Sequence, residues 1–208
     1  MAGRHAGTGL PAEGSPKPVV VVTGTSGAGK GTIERSLLAR MPELELAVSA
    51  TTRERRPAER NGREYWFLTD EEFDRRVREG AFLEHVTHAW GAKAGTLLSE
   101  IDRIQSEGKI PLLDLETEGA LRVQDEVPGA VTIFVKAPSF AELERRLRER
   151  ATESAGEIGV RLAVARRQLA LEGRFDHVIV NDDLERAVDE VEEIVRRALD
   201  GAGTMARP

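Results

Sequence analysis

Short apolar runs recur along the chain at the spacing of strands, with amphipathic stretches between them. Val19–Val22 is a continuous β-branched run, the pattern of a strand that is buried on both faces of a parallel sheet. Further strands are predicted at Leu46–Ala50, Tyr65–Leu68, Ala81–Val86, Ile110–Leu115, Val131–Val135 and Val178–Val180. Helices are predicted at Gly31–Arg40, from a cap at Thr69 or Asp70 to about Glu79, and at Leu97–Ser106, Phe140–Arg150, Ile158–Glu172 and Leu184–Leu199. This alternation predicts an α/β fold, a P-loop parallel sheet with helices on both faces.

Two parts of the chain depart from this alternation. The stretch from about Arg53 to Gly95 contains too much strand and too little helix for a single crossover, which predicts an inserted small α+β subdomain. The charged region at Arg145–Arg161, with a loop of small and acidic residues at Thr152–Glu157, predicts a helical lid. The predicted division is a disordered leader at 1–17, one domain at 18–200 and a tail at 201–208. Within the domain, the core is 18–50, 97–144 and 162–200, the insert is 51–96 and the lid is 145–161.

The composition of the 208 residues narrows the class of protein and its partners. Hydrophobic residues make up 40% and charged residues 32%, which indicates a globular domain with enough apolar material for a core. The net charge of −6 argues against a nucleic-acid polymer as partner, because phosphate backbones select basic proteins. No cysteine is present, and no apolar run approaches the length of a membrane span. We expect a cytoplasmic protein with no membrane partner, and its oligomeric state stays open.

A glycine-rich loop follows the first strand and opens the first helix. It reads Gly24, Thr25, Ser26, Gly27, Ala28, Gly29, Lys30, Gly31 and Thr32, with the P-loop spacing of two glycines, four residues between them, and then lysine. Backbone N–H groups of such a loop can surround phosphate oxygens, and Lys30 can reach the β- and γ-phosphates of ATP. Gly31 follows the lysine, and the hydroxyl comes next, at Thr32. Thr32 is therefore the candidate Mg²⁺ ligand. The alternative is a turn with a chance lysine, but the strand–loop–helix context favours an ATP site.

An arginine-rich segment supplies a candidate site for a second phosphate. Arg53 and Arg56 follow the run Ser49–Thr52, and Tyr65 comes shortly after. Guanidinium groups can bind one phosphate with parallel hydrogen bonds, and a nearby phenol adds a further donor. The alternative is a solvated loop, the commoner fate of such charge runs, and these residues alone favour that alternative.

The combined pattern resembles the guanylate kinase family. The resemblance is carried by the P-loop and by Ser49–Arg53, Arg56, Glu59, Gly62, Tyr65, Phe82–Glu84, Gly95–Thr96, Leu113–Glu116, Gly119, Arg146–Leu147, Arg150, Arg161 and Val178–Asp183. These matches run in order from about Val19 to Leu199, which covers all but the two tails. The resemblance implies an enzyme that transfers the γ-phosphoryl group of ATP to GMP with Mg²⁺. It also implies a P-loop core, a GMP-binding insert and an arginine-bearing lid.

The resemblance assigns a GMP site to particular residues of this chain. The GMP phosphate would be bound by Arg53, Arg56 and Tyr65, and guanine would be recognised by Ser49, Glu84, Thr96 and Glu116. Guanine presents N1–H and N2–H₂ as adjacent donors, and one carboxylate can accept from both. Adenine has an acceptor at N1 and would leave that carboxylate buried and unpaired.

The resemblance also assigns the groups that would act on the transferring phosphoryl group. Positive charge around it would come from Lys30, Arg146, Arg150 and Arg161. Asp114 ends a buried strand and would help to hold Mg²⁺, directly or through water. Asn181 follows the last core strand and would lie near the adenine side of the ATP site.

Several positions differ from the usual pattern of the family, mainly on the acceptor side. Lys93 and Ala94 stand where the family has a pair of tyrosines, so one phenolic donor to the GMP phosphate is missing. Lys93 could compensate from its nearby backbone position. Glu116 and Glu118 replace an aspartate and a glutamine. These changes bear on the affinity for the acceptor more than on the use of ATP.

Two alternatives to a guanylate kinase stay open at this point. One is a related P-loop kinase that acts on another phosphorylated acceptor, such as a ribosyl bisphosphate. The other is a guanylate-kinase-like module that binds a phosphorylated peptide without catalysis. Ser49 and Glu84 favour a guanine site over the first alternative, and the intact Gly29 and Lys30 disfavour the second.

Overall fold

The structure, a computed structural model, describes residues 18–88, 91–150 and 155–204. The strands in this part of the chain are β1 (Val20–Gly24), β2 (Leu44–Leu46), β3 (Ala50–Thr51), β4 (Trp66–Phe67), β5 (Phe82–Thr87), β6 (Lys93–Leu97), β7 (Ile110–Asp114), β8 (Val131–Lys136) and β9 (His177–Val180). The α-helices are α1 (Lys30–Arg40), α2 (Asp70–Arg78), α3 (Leu98–Ser106), α4 (Thr117–Glu126), α5 (Phe140–Arg150), α6 (Ala155–Leu169) and α7 (Leu184–Thr204). A 3₁₀ helix covers Glu172–Arg174.

Five parallel strands form the core sheet in the order β2-β7-β1-β8-β9. The central strand β1 is buried, and its valines alternate between the two faces of the sheet. Val20 and Val22 pack in one apolar cluster with α1 and α7, whereas Val21 packs in a second cluster with α3 and α4. Helices therefore cover both faces of the sheet, which confirms the predicted α/β class.

A second, smaller sheet has the strand order β4-β3-β6-β5. Strand β6 pairs antiparallel with β3 and β5, while β3 pairs parallel with β4. Helix α2 packs on this sheet through Phe73, whose ring centroid lies 4.4 Å from that of Phe82. The helix begins at the predicted cap, where the Thr69 hydroxyl accepts a hydrogen bond of 3.1 Å from the Glu72 N–H. Strand β5 also contacts α4, which joins the small sheet to the core.

The structure differs from the predicted secondary structure at four places. The predicted strand Leu46–Ala50 is two strands in two sheets, because β2 ends at Leu46 and β3 begins at Ala50. Helix α4 and strand β6 were not predicted at all. Helix α6 begins at Ala155 and ends at Leu169, so it starts earlier than the predicted Ile158 and stops before the 3₁₀ helix. The rest of the predicted loop at Thr152–Glu157 lies outside the described residues.

The predicted division into core, insert and lid stays a prediction, because the strands and helices do not themselves define its boundaries. The small sheet is built from strands that lie between Ala50 and Leu97. The two charged helices α5 and α6 come one after the other in the chain. No helix in the described ranges is long and apolar enough to cross a membrane.

Candidate active site

The glycine-rich loop lies between β1 and α1, at the carboxyl edge of the core sheet. Gly29 is the N-cap of α1 and has a φ of 95°, a left-handed conformation that favours glycine. A Cβ atom at Gly29 would lie 2.4 Å from Asn181 Nδ2, so a side chain would also collide with that amide. Asn181 Nδ2 donates a hydrogen bond of 2.7 Å to the Ala28 carbonyl. The buried Asn181 side chain therefore braces the loop backbone.

Lys30 is the first residue of α1, and its ammonium group lies between the start of the glycine-rich loop and the carboxylate of Asp114. Lys30 Nζ is 3.4 Å from the Gly24 carbonyl oxygen and 4.0 Å from Asp114 Oδ1. Asp114 is the last residue of β7 and is paired in register with Val22 of β1. The surrounding protein desolvates the Asp114 carboxyl and raises its pKa, Lys30 opposes that shift, and Glu116 adds to it. The ammonium and the carboxylate thus share one edge of the sheet.

Two oxygen-bearing side chains at this edge suit Mg²⁺, which prefers hard oxygen ligands and keeps several water and phosphate ligands. Thr32 Oγ1 lies in the first turn of α1 and accepts a hydrogen bond of 3.1 Å from Arg35 Nη2. The Asp114 side chain is 47% exposed, so its oxygens can reach a ligand in the cleft. No group of three or more His, Cys, Asp or Glu residues that could hold a metal occurs among the described residues. The residues present fit an ion that is shared with substrate phosphates.

Glu34 is a buried carboxyl that was missed in the sequence. It lies on α1 one turn after Lys30 and is only 5% exposed. Burial and the charge of Asp114 raise the pKa of Glu34 from 4.5 to about 8, while Lys30 and Arg35 oppose the shift. Glu34 Oε1 has no hydrogen-bond partner within the described structure. The four-residue spacing from Lys30 was the one signal that could have drawn attention to it.

The predicted acceptor-phosphate residues lie together beside the small sheet. The Nη1 and Nη2 atoms of Arg53 donate to the Glu59 carboxylate at 3.1 and 2.8 Å. The guanidinium carbon of Arg53 lies 5.3 Å from the centroid of the Tyr65 ring. The backbone N–H of Arg56 donates to the same carboxylate at 2.8 Å, while the Arg56 side chain is exposed. Burial raises the pKa of Tyr65, and the charge of Asp114 adds to this rise. Asp114 is thus close enough to act electrostatically on the Tyr65 phenol.

Two of the predicted guanine-recognition residues, Glu84 and Thr96, meet at a buried carboxylate. Glu84 on β5 is 4% exposed, and its Oε1 accepts a hydrogen bond of 3.0 Å from the Thr96 hydroxyl on β6. Burial raises the pKa of Glu84, and hydrogen bonds from Thr96 and the charge of Arg122 oppose that rise. A Cβ atom on Gly119 would lie 2.7 Å from Glu84 Oε2, so only glycine leaves this carboxylate in place. The carboxylate is therefore held at the first turn of α4.

The other two predicted guanine-recognition residues, Glu116 and Ser49, make hydrogen bonds with other parts of the fold. Glu116 is the N-cap of α4, and its Oε2 accepts a hydrogen bond of 3.2 Å from Gln168 Nε2 on α6. Ser49 precedes β3, and its carbonyl accepts a hydrogen bond of 2.9 Å from the Trp66 N–H. The structure therefore shows Ser49 as a backbone partner of the small sheet. The contact between Gln168 and Glu116 was not predicted from the sequence.

Arg146, one of the three arginines predicted to act on the transferring group, is linked to the glycine-rich loop through Asn181. Arg146 Nη2 donates to the Asn181 carbonyl at 3.0 Å, and its Nε donates to Glu142 Oε1 at 2.8 Å. Arg161 is exposed on α6. The side chain of Arg150 lies outside the part of the structure that is described.

The ammonium group of Lys93 is paired with carboxylates of α2. Its ammonium group pairs with Asp74 at 2.6 Å and with Asp70 at 3.3 Å, both on α2. Its backbone N–H donates to the Thr52 hydroxyl at 3.0 Å, and its carbonyl accepts from the Thr51 hydroxyl at 2.9 Å. Lys93 therefore links β6 to α2 and to the end of β3 instead of replacing the missing phenol.

A P-loop on a parallel sheet, with a guanidinium–phenol cluster beside a second, smaller sheet, is typical of P-loop kinases of the nucleoside-monophosphate kinase class. The sequence model described as guanylate kinase matches residues 15–198. The chain is 46% identical over 183 residues to a guanylate kinase of Rubrobacter xylanophilus, covering 88% of this chain and 95% of the relative. It is 42% identical to a guanylate kinase of Thermotoga maritima, covering 85% and 84%. The chain belongs to the guanylate kinase family.

A solved structure agrees with this assignment. The crystal structure of guanylate kinase from Anaplasma phagocytophilum superposes with a TM-score of 0.71 and is 27% identical in sequence. The match covers 89% of this chain and 88% of the other. The fold and the sequence therefore identify the same family.

The raised pKa of Glu34 predicts a pH-dependent loss of stability. The folded protein binds this proton more tightly than the unfolded chain, so the carboxyl costs nothing below pH 4.5 and increasingly destabilises the fold as pH rises to about 8. We expect Glu34→Gln to gain stability over the parent by up to about 1.4 kcal/mol per pH unit in that window. Urea unfolding at pH 5, 6.5 and 8 without nucleotide or Mg²⁺ measures this gain.

Glu126→Gln is the matched control, because Glu126 is an exposed carboxylate at the end of α4. It should change the free energy of unfolding little at any of the three pH values. A stability difference between Glu34→Gln and the parent that is the same at pH 5 and pH 8 would contradict the assignment.

Proposed function

We propose that this protein transfers the γ-phosphoryl group of ATP to the phosphate of GMP, giving ADP and GDP. The observation that carries the proposal is the buried Glu84 carboxylate, held between the Thr96 hydroxyl and the first turn of α4. Burying a carboxylate to 4% exposure is costly to the fold, and guanine's N1–H and N2–H₂ would add two donors to the hydrogen bonds that Thr96 supplies.

The donor site in this proposal is the loop from Gly24 to Thr32. Its backbone N–H groups and the positive end of α1 bind the phosphates of ATP, while Lys30 neutralises the β- and γ-phosphates. Asn181 keeps the loop in this shape through its hydrogen bond to Ala28. Thr32 and Asp114 would hold Mg²⁺, directly or through water, and the ion when bound neutralises charge on the phosphate oxygens.

The acceptor phosphate binds where Arg53, Arg56 and Tyr65 converge. In the structure Glu59 occupies the guanidinium fork of Arg53, so a phosphate must share or displace that carboxylate. Arg56 is already exposed and can turn to the phosphate without losing a buried contact. The phenol of Tyr65 stays in its protonated, donating form because burial raises its pKa.

Base choice in this proposal depends on carboxylates that can accept and cannot donate. Glu84 accepts from N1–H and from one hydrogen of N2, Glu116 accepts from the other hydrogen of N2, and Thr96 and Ser49 complete the pocket. AMP would place its N1 acceptor against the Glu84 carboxylate, which leaves two acceptors in contact. A site that is built on such hydrogen bonds discriminates strongly against a base that cannot make them.

The transfer step needs alignment and charge more than covalent chemistry. The attacking group is an oxygen of the GMP phosphate, so no protein base has to activate it. Lys30, Arg146, Arg150 and Arg161 stabilise negative charge on the transferring group as the bond to the β-phosphate oxygen breaks. Closure of the lid over both nucleotides would exclude water and so prevent hydrolysis of ATP.

A panel of acceptors tests the proposed reaction. Purified protein with ATP and Mg²⁺ should release ADP with GMP far faster than with AMP, CMP, UMP or ribose 1,5-bisphosphate, because the other acceptors lack guanine's pair of donors. A coupled assay for ADP measures each rate. Turnover with AMP but not GMP would overturn the base assignment, and turnover with the sugar bisphosphate alone would favour the related-kinase alternative. No ADP with any acceptor, while GMP still binds, would favour the binding module.

Replacement of Glu84 separates base recognition from phosphoryl transfer. Glu84→Gln keeps the shape but turns one acceptor oxygen into a donor, so we expect kcat/KM for GMP to fall roughly a hundredfold, which corresponds to about 3 kcal/mol. The KM for ATP should stay near the parent value. Steady-state kinetics with each nucleotide varied in turn measure the two constants.

Two further variants calibrate this result. Glu100→Gln changes an equally buried carboxylate on α3, outside the proposed pocket. In the parent this carboxylate accepts from Arg103 and from the Val48 N–H. The variant should leave kcat/KM for GMP near the parent value.

Lys30→Ala should lower kcat severely with little effect on GMP binding. If Glu84→Gln behaves like the parent, the guanine pocket is assigned wrongly.

A further inference from the structure

A buried amide joins the helix after the predicted lid loop to the predicted base pocket. Gln168 lies near the end of α6 and is only 8% exposed, which is unusual for a glutamine. Its Nε2 donates a hydrogen bond of 3.2 Å to Oε2 of Glu116, although the two residues are 52 positions apart. The contact therefore connects two helices that the chain order does not bring together.

Glu116 is held by this amide and not by its own helix. It stands at the N-cap of α4, where a side chain commonly accepts from the backbone N–H groups of the first turn. Its side chain makes no such capping hydrogen bond. Although Glu116 is exposed, its carboxylate therefore has a side-chain hydrogen bond from Gln168 where a capping hydrogen bond would be usual.

The polar atoms around this contact are not all satisfied in the structure. Gln168 Oε1 and the hydroxyl of Thr117, the residue after Glu116, are buried without a hydrogen-bond partner among the described residues. Buried polar atoms without partners destabilise a fold, and an apolar side chain of similar shape would avoid that cost. A glutamine that served packing alone would not need to be an amide. The amide therefore has a role that packing does not explain.

We propose that Gln168 is a positioning residue that holds the Glu116 carboxylate in the direction required to accept from the exocyclic amine of the acceptor base. The amide donates to Glu116 and adds no charge, so the carboxylate keeps its second oxygen for the base. Gln168 also lies seven residues after Arg161, on the same face of α6. The helix that presents Arg161 is thus tied to the base pocket. This inference rests on the proposed function, because it assumes a purine with an amino group.

Gln168→Met tests the inference, because it keeps the shape of the side chain and removes the donor. The KM for GMP should rise roughly tenfold, the effect of losing one hydrogen bond to a charged group, while kcat falls less and the KM for ATP stays near the parent value. The ratio of kcat/KM for GMP to that for IMP should fall as well, since IMP lacks the exocyclic amine. Steady-state kinetics with GMP and IMP measure both effects.

A second variant covers the case in which Gln168→Met does not fold. Gln168→Glu is of the same size and places a carboxylate against Glu116, so it should raise the KM for GMP at least as much as Gln168→Met does. Gln124→Met is the matched control, because Gln124 Nε2 donates to the carboxylate of Asp176 at 3.1 Å, away from the proposed pocket. It should keep the parent's KM for GMP. Thermal unfolding of each variant identifies losses that are due to folding.

The outcomes separate the inference from the proposed function. A parent protein that does not phosphorylate GMP overturns both. A parent that is active on GMP, with folded Gln168 variants that have the parent's KM for GMP and the parent's preference over IMP, overturns the inference alone. A fall in kcat with an unchanged KM for GMP also overturns it, because positioning of Glu116 acts on the base.

Discussion

The parallel pairing of β1 with β7 and β8 is the constraint on which the rest of the structure depends. Parallel strands end at the same edge, so the register of Val22 with Asp114 places that carboxylate beside the loop that leaves β1. The pairing of β8 with β9 brings Asn181 to the same edge, where its amide meets Ala28. Lys30 enters this edge as the first residue of α1. The donor site is therefore a consequence of strand register more than of any single side chain.

Two buried carboxyls, Glu34 beside the glycine-rich loop and Glu84 in the small sheet, differ in the groups that surround them. Glu34 and Glu84 are about equally buried, and burial raises the pKa of both. Glu84 has hydrogen bonds from Thr96 and the charge of Arg122 to favour its ionised form, so it can serve as an acceptor. Glu34 has the like charge of Asp114 nearby and an oxygen without a partner in the described structure, so its neutral form is favoured. The two carboxyls thus differ in their surroundings: Glu84 has a hydrogen-bond donor and a nearby cation, whereas Glu34 lies near a like charge that makes its ionised form a cost to stability.

Local patterns predicted the core and the loop, and the failures lie where contacts between distant residues decide the structure. The run Val19–Val22 and the glycine-rich loop are local signals, and the structure has a strand at Val20–Gly24 followed by a loop that leads into α1. Strand Leu46–Ala50 was wrong because one apolar stretch is divided between two sheets, which no local pattern shows. Helix α4 was missed because its first turn contains Gly119, a poor helix former that is required there by the approach of Glu84. The contact of Gln168 with Glu116 has no signal in the sequence at all.

The cations at the proposed phosphate sites are already paired with carboxylates, and this bears on what the sites can bind. Arg53 is held by Glu59, Arg146 by Glu142, and Lys30 lies near Asp114. These pairs keep long, flexible side chains ordered before a substrate arrives, which lowers the entropy lost on binding. They also mean that an incoming anion must compete with a carboxylate and not only with water. A phosphate with two negative charges and three oxygens competes better than a monoanion does, because it gains more from each guanidinium group. In the proposed function, these ion pairs would favour a phosphorylated acceptor before any contact with the base is made.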